Sequence, residues 1–400
     1  MGHLVQAGQA TALVFAPAWV AAANRPALTL CGTPGHPASA SLFARPWLST
    51  GGLHPVLANL LPETGLRAGM ASQLGVQPEH DFALLAGLGS DLPGALQVRA
   101  LAPDDIPAGV LDFNAVAAAV DLPLSCQQPL FSLAGSQRKL LLHEDNGKFQ
   151  PADQQHAGTW ILKLASQLAG GLPQNEYTAL MLARLAGVEV PGFRLLQLSQ
   201  LPAINASADG YALAIQRFDR TNSGERIHTE DFAQVLFKAP TEKYSAASAE
   251  ALGLIVHGYT LNGLANVQQL ARRLLVNALL GNGNAHLKNW SLLYPDRYHA
   301  TLAPAYDLWC TQSVLPAARQ KSLAIGGCTD WYQLDFSHFE QWGRAVGVKW
   351  RVLRPQLLDT VERARTLWPA ALEDAPMLET HKLLLRHHWK NLQKKLQYGL

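Results

Sequence analysis

A polar segment lies between two apolar ones in the second half of the chain, Gly281-Asn282-Gly283-Asn284-Ala285-His286-Leu287-Lys288-Asn289-Trp290. It follows the helical apolar pattern of Leu274–Leu280 and precedes the strand pattern of Trp290–Tyr294. Packing alone hardly accounts for so many glycine, amide and charged residues at this place. Catalytic groups concentrate on loops held by a rigid scaffold, and Asn, His and Lys supply metal-ligand, hydrogen-bond and charge functions. The segment therefore predicts a functional loop, with a capped helix end as the alternative.

A lone carboxylate, Asp307, follows this segment within Ala303-Pro304-Ala305-Tyr306-Asp307-Leu308. It comes 18 residues after Asn289, behind a second short strand pattern. Together the two side chains could bind Mg²⁺, an ion that commonly takes one or two protein oxygens and completes its shell with phosphate and water. An isolated Asp would otherwise be interpreted as a helix N-cap.

A single lysine interrupts an otherwise apolar strand pattern earlier in the chain. Lys163 is the only charged residue in Trp160–Ala165. A lysine flanked by core residues must be paired, or must extend its ammonium to water, because burying an unpaired charge is costly. A nearby helix offers Glu176, and protein kinases use such a strand lysine and helix glutamate to hold nucleotide phosphates. An edge-strand lysine is the alternative.

A turn of small and basic residues precedes the strand pattern Leu140–Leu142, Ser132-Leu133-Ala134-Gly135-Ser136-Gln137-Arg138-Lys139. Small residues let main-chain N–H groups approach an anion, and Ser, Arg and Lys add hydrogen bonds and charge. The turn matches neither GxxxxGK[ST] nor GxGxxG. It predicts a phosphate-binding loop, with an ordinary hairpin carrying solvated basic residues as the alternative.

The distribution of patterns along the chain predicts an α+β, two-lobed molecule with a cleft between the lobes. Short strands near the N-terminus (Ala12–Phe15, Leu28–Leu30) and helical spacing in Leu53–Leu61, Gly69–Leu74 and Glu79–Leu88 indicate a small subdomain over residues 1–102. A strand-rich unit over 103–218 contains Lys139–His143, Trp160–Leu164, Phe193–Leu198 and Tyr211–Gln216, one helix (Asn175–Leu185) and a hairpin turn at Asp145-Asn146-Gly147. Residues 219–400 are predicted to be helical over Glu230–Phe237, Ser248–Tyr259, Ala265–Leu280, Phe336–Val346, Leu353–Leu367 and Leu378–Leu396.

Composition excludes several classes of protein. The chain has 400 residues, 48% of them hydrophobic, which is enough for a sizeable core and excludes disordered and collagen-like chains. A formal net charge of +2 provides no bulk field for nucleic acid. The four cysteines are far apart and form no CxxC, which favours a reducing, cytoplasmic location over a disulfide framework or zinc site. No run reaches the roughly 18 apolar residues of a membrane span.

The order of these features matches that of the working parts of a protein kinase. Along the chain come a small-residue loop, a strand lysine, a helix glutamate, a possible hinge, a polar loop ending in Asn and then an Asp. The sequence also resembles the HipA-like serine/threonine kinases, the toxins of bacterial type II toxin–antitoxin modules. The resemblance covers nearly the whole chain and rests on Leu60-Leu61-Pro62-Glu63 with Phe82–Gly94, Ser132–Lys139, Ile161-Leu162-Lys163, Asn175-Glu176-Tyr177, Gln216-Arg217-Phe218-Asp219-Arg220, His228–Phe232 with Lys243-Tyr244, Gly281–Asn289 and Tyr306-Asp307.

That resemblance implies a bilobed protein-kinase-like fold and ATP and Mg²⁺ as cofactors. Lys163 would hold the α/β-phosphates with Glu176 as its ion-pair partner, and the main chain of Gln216, Arg217 and Phe218 would meet the adenine. Nucleotide contacts would also come from Ala134, Gly135, Ser136, Gln137, Arg138 and Lys139. Asn289 and Asp307 would hold the metal, while His286 and Lys288 belong to the catalytic loop. Ser132 lies where family members can autophosphorylate, which would add negative charge to the loop and switch the kinase off.

The resemblance implies two partners, a HipB-like DNA-binding antitoxin and a protein substrate, for which it suggests an aminoacyl-tRNA synthetase. Phosphorylation of that substrate would stall translation and arrest growth, a state associated with persistence. DNA would be reached only through the antitoxin, and no membrane is implied.

Position 284 departs from the family pattern. The family has Asp there, which orients the substrate hydroxyl and accepts its proton, whereas this chain has Asn284. An amide cannot accept that proton at neutral pH, and general-base contributions are typically about 10²–10⁴ in rate. Two explanations fit, an introduced inactivating substitution or a natural pseudokinase, and the completeness of the other elements favours the first.

Two further classes of function compete with an active kinase. One is a catalytically silent module that binds nucleotide and antitoxin without transferring phosphate, which Asn284 supports. The other is a DNA-binding protein, suggested by basic residues of the C-terminal helix (Lys382, Arg386, Lys390, Lys394 and Lys395, with His381, His387 and His388). Such a helix is more often a solvated face, and a charge of +2 gives little non-specific affinity for phosphates.

Overall fold

The computed structural model describes residues 1–102, 139–153, 156–165, 170–201, 210–244, 248–314, 320–394 and 396. The predicted phosphate loop, Ser132–Arg138, and Lys395 lie outside the described residues. Within the described helices, none is long and apolar enough to cross a membrane.

The N-terminal subdomain combines a small sheet with short helices. Its antiparallel sheet has the order β1-β2-β3, formed by Gly2–Ala7, Ala10–Phe15 and Trp47–Thr50. The helices are α1 (Pro17–Ala21), α2 (Ser39–Leu42), α3 (Pro55–Ala58), α4 (Thr64–Leu74) and α5 (Asp81–Leu88). Between them lies a separate core in which Phe15, Trp19, Phe43 and Trp47 stack or meet edge to face.

A five-stranded antiparallel sheet forms the strand-rich lobe. Its order is β5-β4-β6-β8-β7, with β4 at Lys139–Asp145, β5 at Lys148–Pro151, β6 at Trp160–Lys163, β7 at Phe193–Gln197 and β8 at Tyr211–Gln216. The predicted turn joins β4 to β5, with Asn146 and Gly147 both at positive φ, a conformation that Asn and Gly tolerate. Helix α6 (Leu172–Leu185) packs on this sheet and ends before Gly187, whose φ is +86°.

The second lobe is mainly helical. Its helices are α7 (Phe232–Val235), α8 (Ala249–Tyr259), α9 (Gly263–Leu280), α10 (Phe336–Val346), α11 (Trp350–Glu373) and α12 (Glu379–Asn391). A small antiparallel sheet of order β11-β10-β9 is formed by Thr301–Leu302, Ser291–Tyr294 and His228–Asp231, and β12 (Gln320–Ile325) pairs with β13 (Cys328–Asp330). One large core joins these helices to α6 and β8 of the other lobe, so the two lobes share buried surface.

Most predicted elements are present, and the exceptions have identifiable physical causes. The helix expected at Glu230–Phe237 is wrong: His228–Asp231 pairs with β10, so long-range pairing overrides the apparent helical spacing, and only Phe232–Val235 is helical. The strand expected at Leu28–Leu30 is wrong as well, since this stretch leads into a single 3₁₀ turn at Leu30–Gly32. Helix α11 is longer than predicted and accommodates two prolines.

Three basic side chains of α12, two of them buried, make contacts within the protein, which weakens the case for a DNA-binding face. Lys382 is buried and donates to the main-chain oxygen of Glu373, and Arg386 pairs with the Glu373 carboxylate. His388 is fully buried, with Nε2 2.8 Å from the main-chain oxygen of Ala278. These contacts fasten α12 to α9 and α11, so much of the apparent charge serves packing.

Candidate active site

A cleft of about 360 Å³ lies between the lobes, and the N-terminal subdomain supplies part of its wall. It brings together every predicted site residue that the structure describes: Lys139, Lys163, Glu176, Gln216, Arg217, Phe218, Asn284, His286, Lys288, Asn289 and Asp307. Asn59, Glu63 and Pro93 of the N-terminal subdomain line the same space, as do Lys243 and Tyr244. Residues that lie far apart in sequence thus converge on one site.

A buried ion-pair cluster occupies one end of the cleft. Lys163, on β6, donates from Nζ to Oε1 of Glu176 at 2.6 Å and also pairs with the carboxylate of Asp307. Burial lowers the pKa of Lys163, but the carboxylates of Asp307 and Glu176 outweigh it and leave that pKa above its ordinary value. Burial raises the pKa of Glu176, against the opposing effect of Lys163. The ammonium therefore stays charged where nucleotide phosphates would be bound.

Lys139 adds a second buried cation to this end. It is paired in register with Lys163 across β4 and β6, and its side chain is also buried. Burial lowers the pKa of Lys139, while the nearby Asp307 raises it and Lys163 lowers it further. Two lysines thus lie close to two carboxylates, Glu176 and Asp307, and the formal charges of the four groups cancel.

Asp307 has an unusual backbone conformation. Its φ is +51°, in the left-handed region that Asp tolerates better than most side chains. Burial raises the pKa of Asp307, but Lys163 and Lys139 outweigh it and lower that pKa to about 2, so the group is a carboxylate at neutral pH. Strained conformations of this kind persist only where surrounding contacts hold them, and they cluster at functional sites.

The oxygens of Asn289 and Asp307 are suited to Mg²⁺. Asn289 donates from Nδ2 to the main-chain oxygen of Asn284 at 2.7 Å, which leaves its amide oxygen as the acceptor end. Hard oxygen donors of this kind are what Mg²⁺ prefers. Within the described residues no group of three or more His, Cys, Asp or Glu side chains is placed to hold a metal. Two protein oxygens fit an ion whose remaining ligands are phosphate and water.

Asn284 is held in a compact turn. Its main-chain N–H donates to Oδ1 of Asn282 at 3.1 Å, and its side-chain Oδ1 accepts from the Tyr244 hydroxyl at 2.6 Å. Thr311 makes two hydrogen bonds to the loop: its hydroxyl donates to the main-chain oxygen of Gly281 and accepts from the N–H of Gly283. The position of residue 284 is therefore fixed by contacts on both sides.

His286 is a neutral, buried member of the same loop. Burial, assisted by the positive charge of Lys243, lowers the pKa of His286 to about 4. Its Nδ1 is buried without a hydrogen-bond partner, and its ring meets that of Tyr244 edge to face at 4.9 Å between centroids. A neutral imidazole in this place can pack and accept a hydrogen bond, but it carries no charge toward a phosphate at neutral pH.

Lys288 points away from the phosphate end and into the N-terminal subdomain. Its ammonium donates to the main-chain oxygen of Asn59 at 2.8 Å, to Oδ1 of Asn59 at 3.0 Å and to Oδ2 of Asp231 at 3.1 Å. Asn59 in turn donates from Nδ2 to the main-chain oxygen of Lys238 at 2.8 Å. We call this group, with the neighbouring ion pair of Glu63 and Lys243, the catalytic-loop dock.

The predicted hinge already uses part of its main chain. The N–H of Gln216 donates to the oxygen of Gly192 at 2.7 Å, and the N–H of Arg217 donates to the oxygen of Thr159 at 2.8 Å. The main chain of Phe218 comes next, and its ring lies 5.5 Å from that of Tyr306. An adenine would therefore be expected to meet the hinge chiefly at Phe218.

The side chain of Arg217 belongs to a charge network that we call the hinge clamp. Arg217 binds Asp219 through two parallel hydrogen bonds of 2.9 Å, and Asp91 at the end of α5 accepts from Arg217, Arg220 and Arg226. The N–H of Gly94 donates to Asp219 at 2.8 Å. Burial opposes ionisation of Asp219, but Arg217 and Arg220 outweigh it and lower the pKa of Asp219 to about 2. The clamp fastens the N-terminal subdomain to the hinge.

Sequence reasoning overlooked the residues that the N-terminal subdomain contributes. Glu63 was placed in that subdomain but given no role at the site, and Asn59 and Asp91 were not singled out. The available signal was weak: Asn59 and Glu63 flank an apolar Leu60-Leu61-Pro62, where polar side chains need partners. Tyr244 was noted only as part of the resemblance.

Comparison with known proteins identifies the family. A model of the HipA-like C-terminal domain matches residues 131–368, and a model of the HipA N-terminal domain matches residues 1–99. The chain belongs to the HipA family. The resemblance predicted from the motifs is thus confirmed.

Relatives of this HipA-family chain bear the names of kinases. It is 37% identical to "Putative kinase Y4dM" of Sinorhizobium fredii, over 81% of this chain and 78% of the relative. It is 26% identical to "Serine/threonine-protein kinase toxin HipA" of Shewanella oneidensis, over 67% of this chain and 65% of that toxin. Kinases use ATP, so the family assignment agrees with a nucleotide cleft.

A solved structure shows the same fold. It is a complex of Shewanella oneidensis HipA and HipB with their operator DNA, and a chain of it superposes with a TM-score of 0.72 at 22% identity, covering 99% of this chain and 94% of that one. The predicted α+β, bilobed, kinase-like fold is therefore confirmed.

Proposed function

We propose that this HipA-family chain is built as an ATP-dependent serine/threonine protein kinase whose phosphoryl transfer is silenced by Asn284. The observation that carries the proposal is the buried cluster of Lys163, Glu176 and Asp307 at one end of the cleft. A strand lysine paired with a helix glutamate, beside a carboxylate that follows the polar loop, is the phosphate end of a kinase site. Asn284 lines the same cleft.

Each part of the site has a role in this proposal. Lys163 and Lys139 bind the phosphates of ATP, and Glu176 holds Lys163 in place. Phe218 meets the adenine through its main chain. Asn289 and Asp307 would hold Mg²⁺, which when bound neutralises charge on the phosphates. With Asp at position 284, its carboxylate would orient the acceptor hydroxyl and take its proton.

Residue 288 acts at a distance from the reacting atoms in this scheme. The ammonium of Lys288 faces Asn59 and Asp231, so we propose that it positions the loop. His286, which is neutral, packs beside Tyr244 and keeps the loop dry. Ser132 and the loop Ala134–Arg138, outside the described residues, are proposed to cover the phosphates, with phosphorylation of Ser132 switching the enzyme off.

A HipB-like antitoxin and a translation-related substrate complete the proposal. The solved complex contains HipA, HipB and operator DNA, which supports a similar partner for this chain. We propose that the substrate is a protein, an aminoacyl-tRNA synthetase, and that the reaction arrests growth in the cytoplasm. DNA is reached only through the antitoxin in this proposal. Co-purification with the HipB-like protein and phosphoproteomics of cells expressing the Asn284→Asp chain would test these partners.

The competing function is a silent nucleotide-binding module. Asn284 favours it directly, because an amide oxygen cannot take a proton from a hydroxyl at neutral pH. Under this alternative the cleft would bind nucleotide, and the chain would act through its antitoxin complex.

The decisive experiment compares this chain with Asn284→Asp. Mg·ATP binding is measured by calorimetry, and phosphoryl transfer is measured with γ-labelled ATP. Phosphorylation of Ser132 is followed by mass spectrometry. We expect similar ATP affinity for both, with transfer about 10²–10⁴ faster in the Asp form. Lys163→Met in the same background is the matched control and should lose both ATP binding and transfer. If the Asp form binds ATP but transfers no phosphate, the silent module is the better description.

A further inference from the structure

One hydroxyl of the chain already occupies the most important acceptor in the cleft. The Tyr244 phenol donates a hydrogen bond to Oδ1 of Asn284 at 2.6 Å. In the proposed function, the side-chain oxygen at this position is where a substrate serine or threonine hydroxyl would donate its hydrogen. A phenol and an aliphatic hydroxyl make the same kind of bond to this oxygen.

One partner of this contact, Tyr244, is a half-exposed side chain. Tyr244 is 53% exposed, and its ring is held by His286 edge to face and by Lys243, whose ammonium lies 5.5 Å from the ring centroid. Asn284, by contrast, is fixed by its own turn and by Asn289. When the two separate, Tyr244 is therefore the partner that moves.

We propose that Tyr244 occupies the acceptor-hydroxyl position of the resting site, so that a substrate serine or threonine reaches residue 284 only by displacing the Tyr244 phenol. This inference rests on the proposed kinase function and adds a competitor to it. A protein substrate that docks broadly can replace one hydrogen bond with many contacts. A small hydroxyl compound or water makes too few other contacts to offset the loss of the Tyr244 hydrogen bond. Tyr244 therefore makes the site selective for protein acceptors.

The kinetic test uses the Asn284→Asp chain with casein as the acceptor protein. Tyr244→Phe in that background keeps the ring and removes only the competing hydroxyl. We expect the KM for casein to fall about 2- to 10-fold, the range of one net hydrogen bond, with kcat and the KM for ATP little changed. A fall in kcat with an unchanged KM would overturn the proposal, because Tyr244 would then be positioning residue 284 for the reaction.

A second measurement tests the contact without any phosphoryl transfer. The pKa of the Tyr244 phenol is followed by NMR of ¹³Cζ-labelled tyrosine, with the signal assigned by its loss in Tyr244→Phe. Donation to an anionic carboxylate stabilises the neutral phenol, so this pKa should be highest in Asn284→Asp and lowest in Asn284→Ala, while Lys243 and Glu63 stay the same in all three. Equal values would overturn the proposal. If the three pKa values follow the expected order but the Asn284→Asp chain transfers no phosphate, the kinase function is refuted and the Tyr244 contact still stands.

Discussion

Two of the contacts between the N-terminal subdomain and the kinase body, the hinge clamp and the catalytic-loop dock, are built differently. The hinge clamp is rich in charge: Asp91 accepts from three arginines, and it is 21% exposed in its side chain. In the catalytic-loop dock, one ammonium that is only 2% exposed, that of Lys288, is satisfied by two oxygens of Asn59 and by the carboxylate of Asp231. Each charge of the clamp has several partners. The dock, by contrast, depends mainly on one almost fully buried cation, Lys288, with the partly exposed pair of Glu63 and Lys243 beside it and Glu63 Oε1 4.0 Å from the Lys288 ammonium.

This difference teaches that the same subdomain can serve two purposes. A network with several partners tolerates loss of one contact, and it holds a strand end beside the cleft. Removal of a single buried charge is not compensated, because its buried acceptors are left without a hydrogen-bond donor and out of reach of water. We therefore expect that disruption of the dock mainly lowers the free energy of unfolding. Disruption of the clamp should mainly loosen the hinge and lower the affinity for Mg·ATP.

The largest effect is expected from Lys288→Met. This change leaves Asp231 and Asn59 buried without their donor, and breaking a buried pair typically costs about 3–5 kcal/mol of unfolding free energy. Urea unfolding followed by tryptophan fluorescence measures it. The control is Lys238→Met, whose side chain is 37% exposed and pairs with Glu242 at 3.8 Å, and which should change stability by less than about 1 kcal/mol. Equal losses in the two variants would contradict the single-cation description.

The next effect comes from acid. His228 on β9 is buried at the boundary with the N-terminal subdomain, with Nε2 3.1 Å from the main-chain oxygen of Leu28, and burial lowers the pKa of His228 to about 4. A depressed pKa contributes stability that is complete above pH 6.5 and is lost as pH falls toward 4. Between pH 7.5 and pH 5 we expect a loss of ~2 kcal/mol from this residue. It is measured as the difference in pH dependence of urea unfolding between this chain and His228→Gln, and parallel curves would refute it.

A smaller effect on stability, but a clear one on the hinge, is expected from Asp91→Asn. The arginines keep Asp219, so stability should fall by only about 1–2 kcal/mol, while Mg·ATP affinity falls several-fold because the strand end beside Phe218 loosens. Calorimetry measures the affinity. Asp81→Asn is a matched control, since Asp81 has a side chain that is 22% exposed and pairs with Arg67 inside the subdomain. Loss of ATP affinity in the control as well would indicate a general effect of the subdomain.

The smallest effect is expected from Glu63→Gln. Glu63 pairs with Lys243, and both side chains are partly exposed, at 17% and 20%. Partly solvated ion pairs contribute about 0–1 kcal/mol, so unfolding in urea should shift only slightly and less at high salt. A loss comparable to that of Lys288→Met would mean that the dock is one network rather than a single buried cation with a peripheral pair.

The sequence allowed prediction of the residues at the charged end of the cleft, Lys163, Glu176 and Asp307, but not of its N-terminal wall. Lys163 and Asp307 are each a lone charge in apolar surroundings, so their need for partners is visible from neighbours in the chain. Asn59 and Asp91 acquire their roles only when a separate subdomain packs against loops more than 120 residues away, which no local pattern encodes. The strand at His228–Asp231 was missed for the same reason, because its partner β10 lies far along the chain.

The contact between Lys288 and Asn59 also bears on whether the N-terminal subdomain and the kinase body can be encoded by separate genes. A kinase body produced without residues 1–102 would leave the Lys288 ammonium with one of its three hydrogen-bond acceptors, Asp231, and a subdomain produced alone would leave the Asn59 oxygens without that donor. Neither piece is self-sufficient at this surface, so we expect the pair to behave as a split protein whose fragments regain a stable fold only on mixing. Separation of the two domains into different genes would then require both products to be made together.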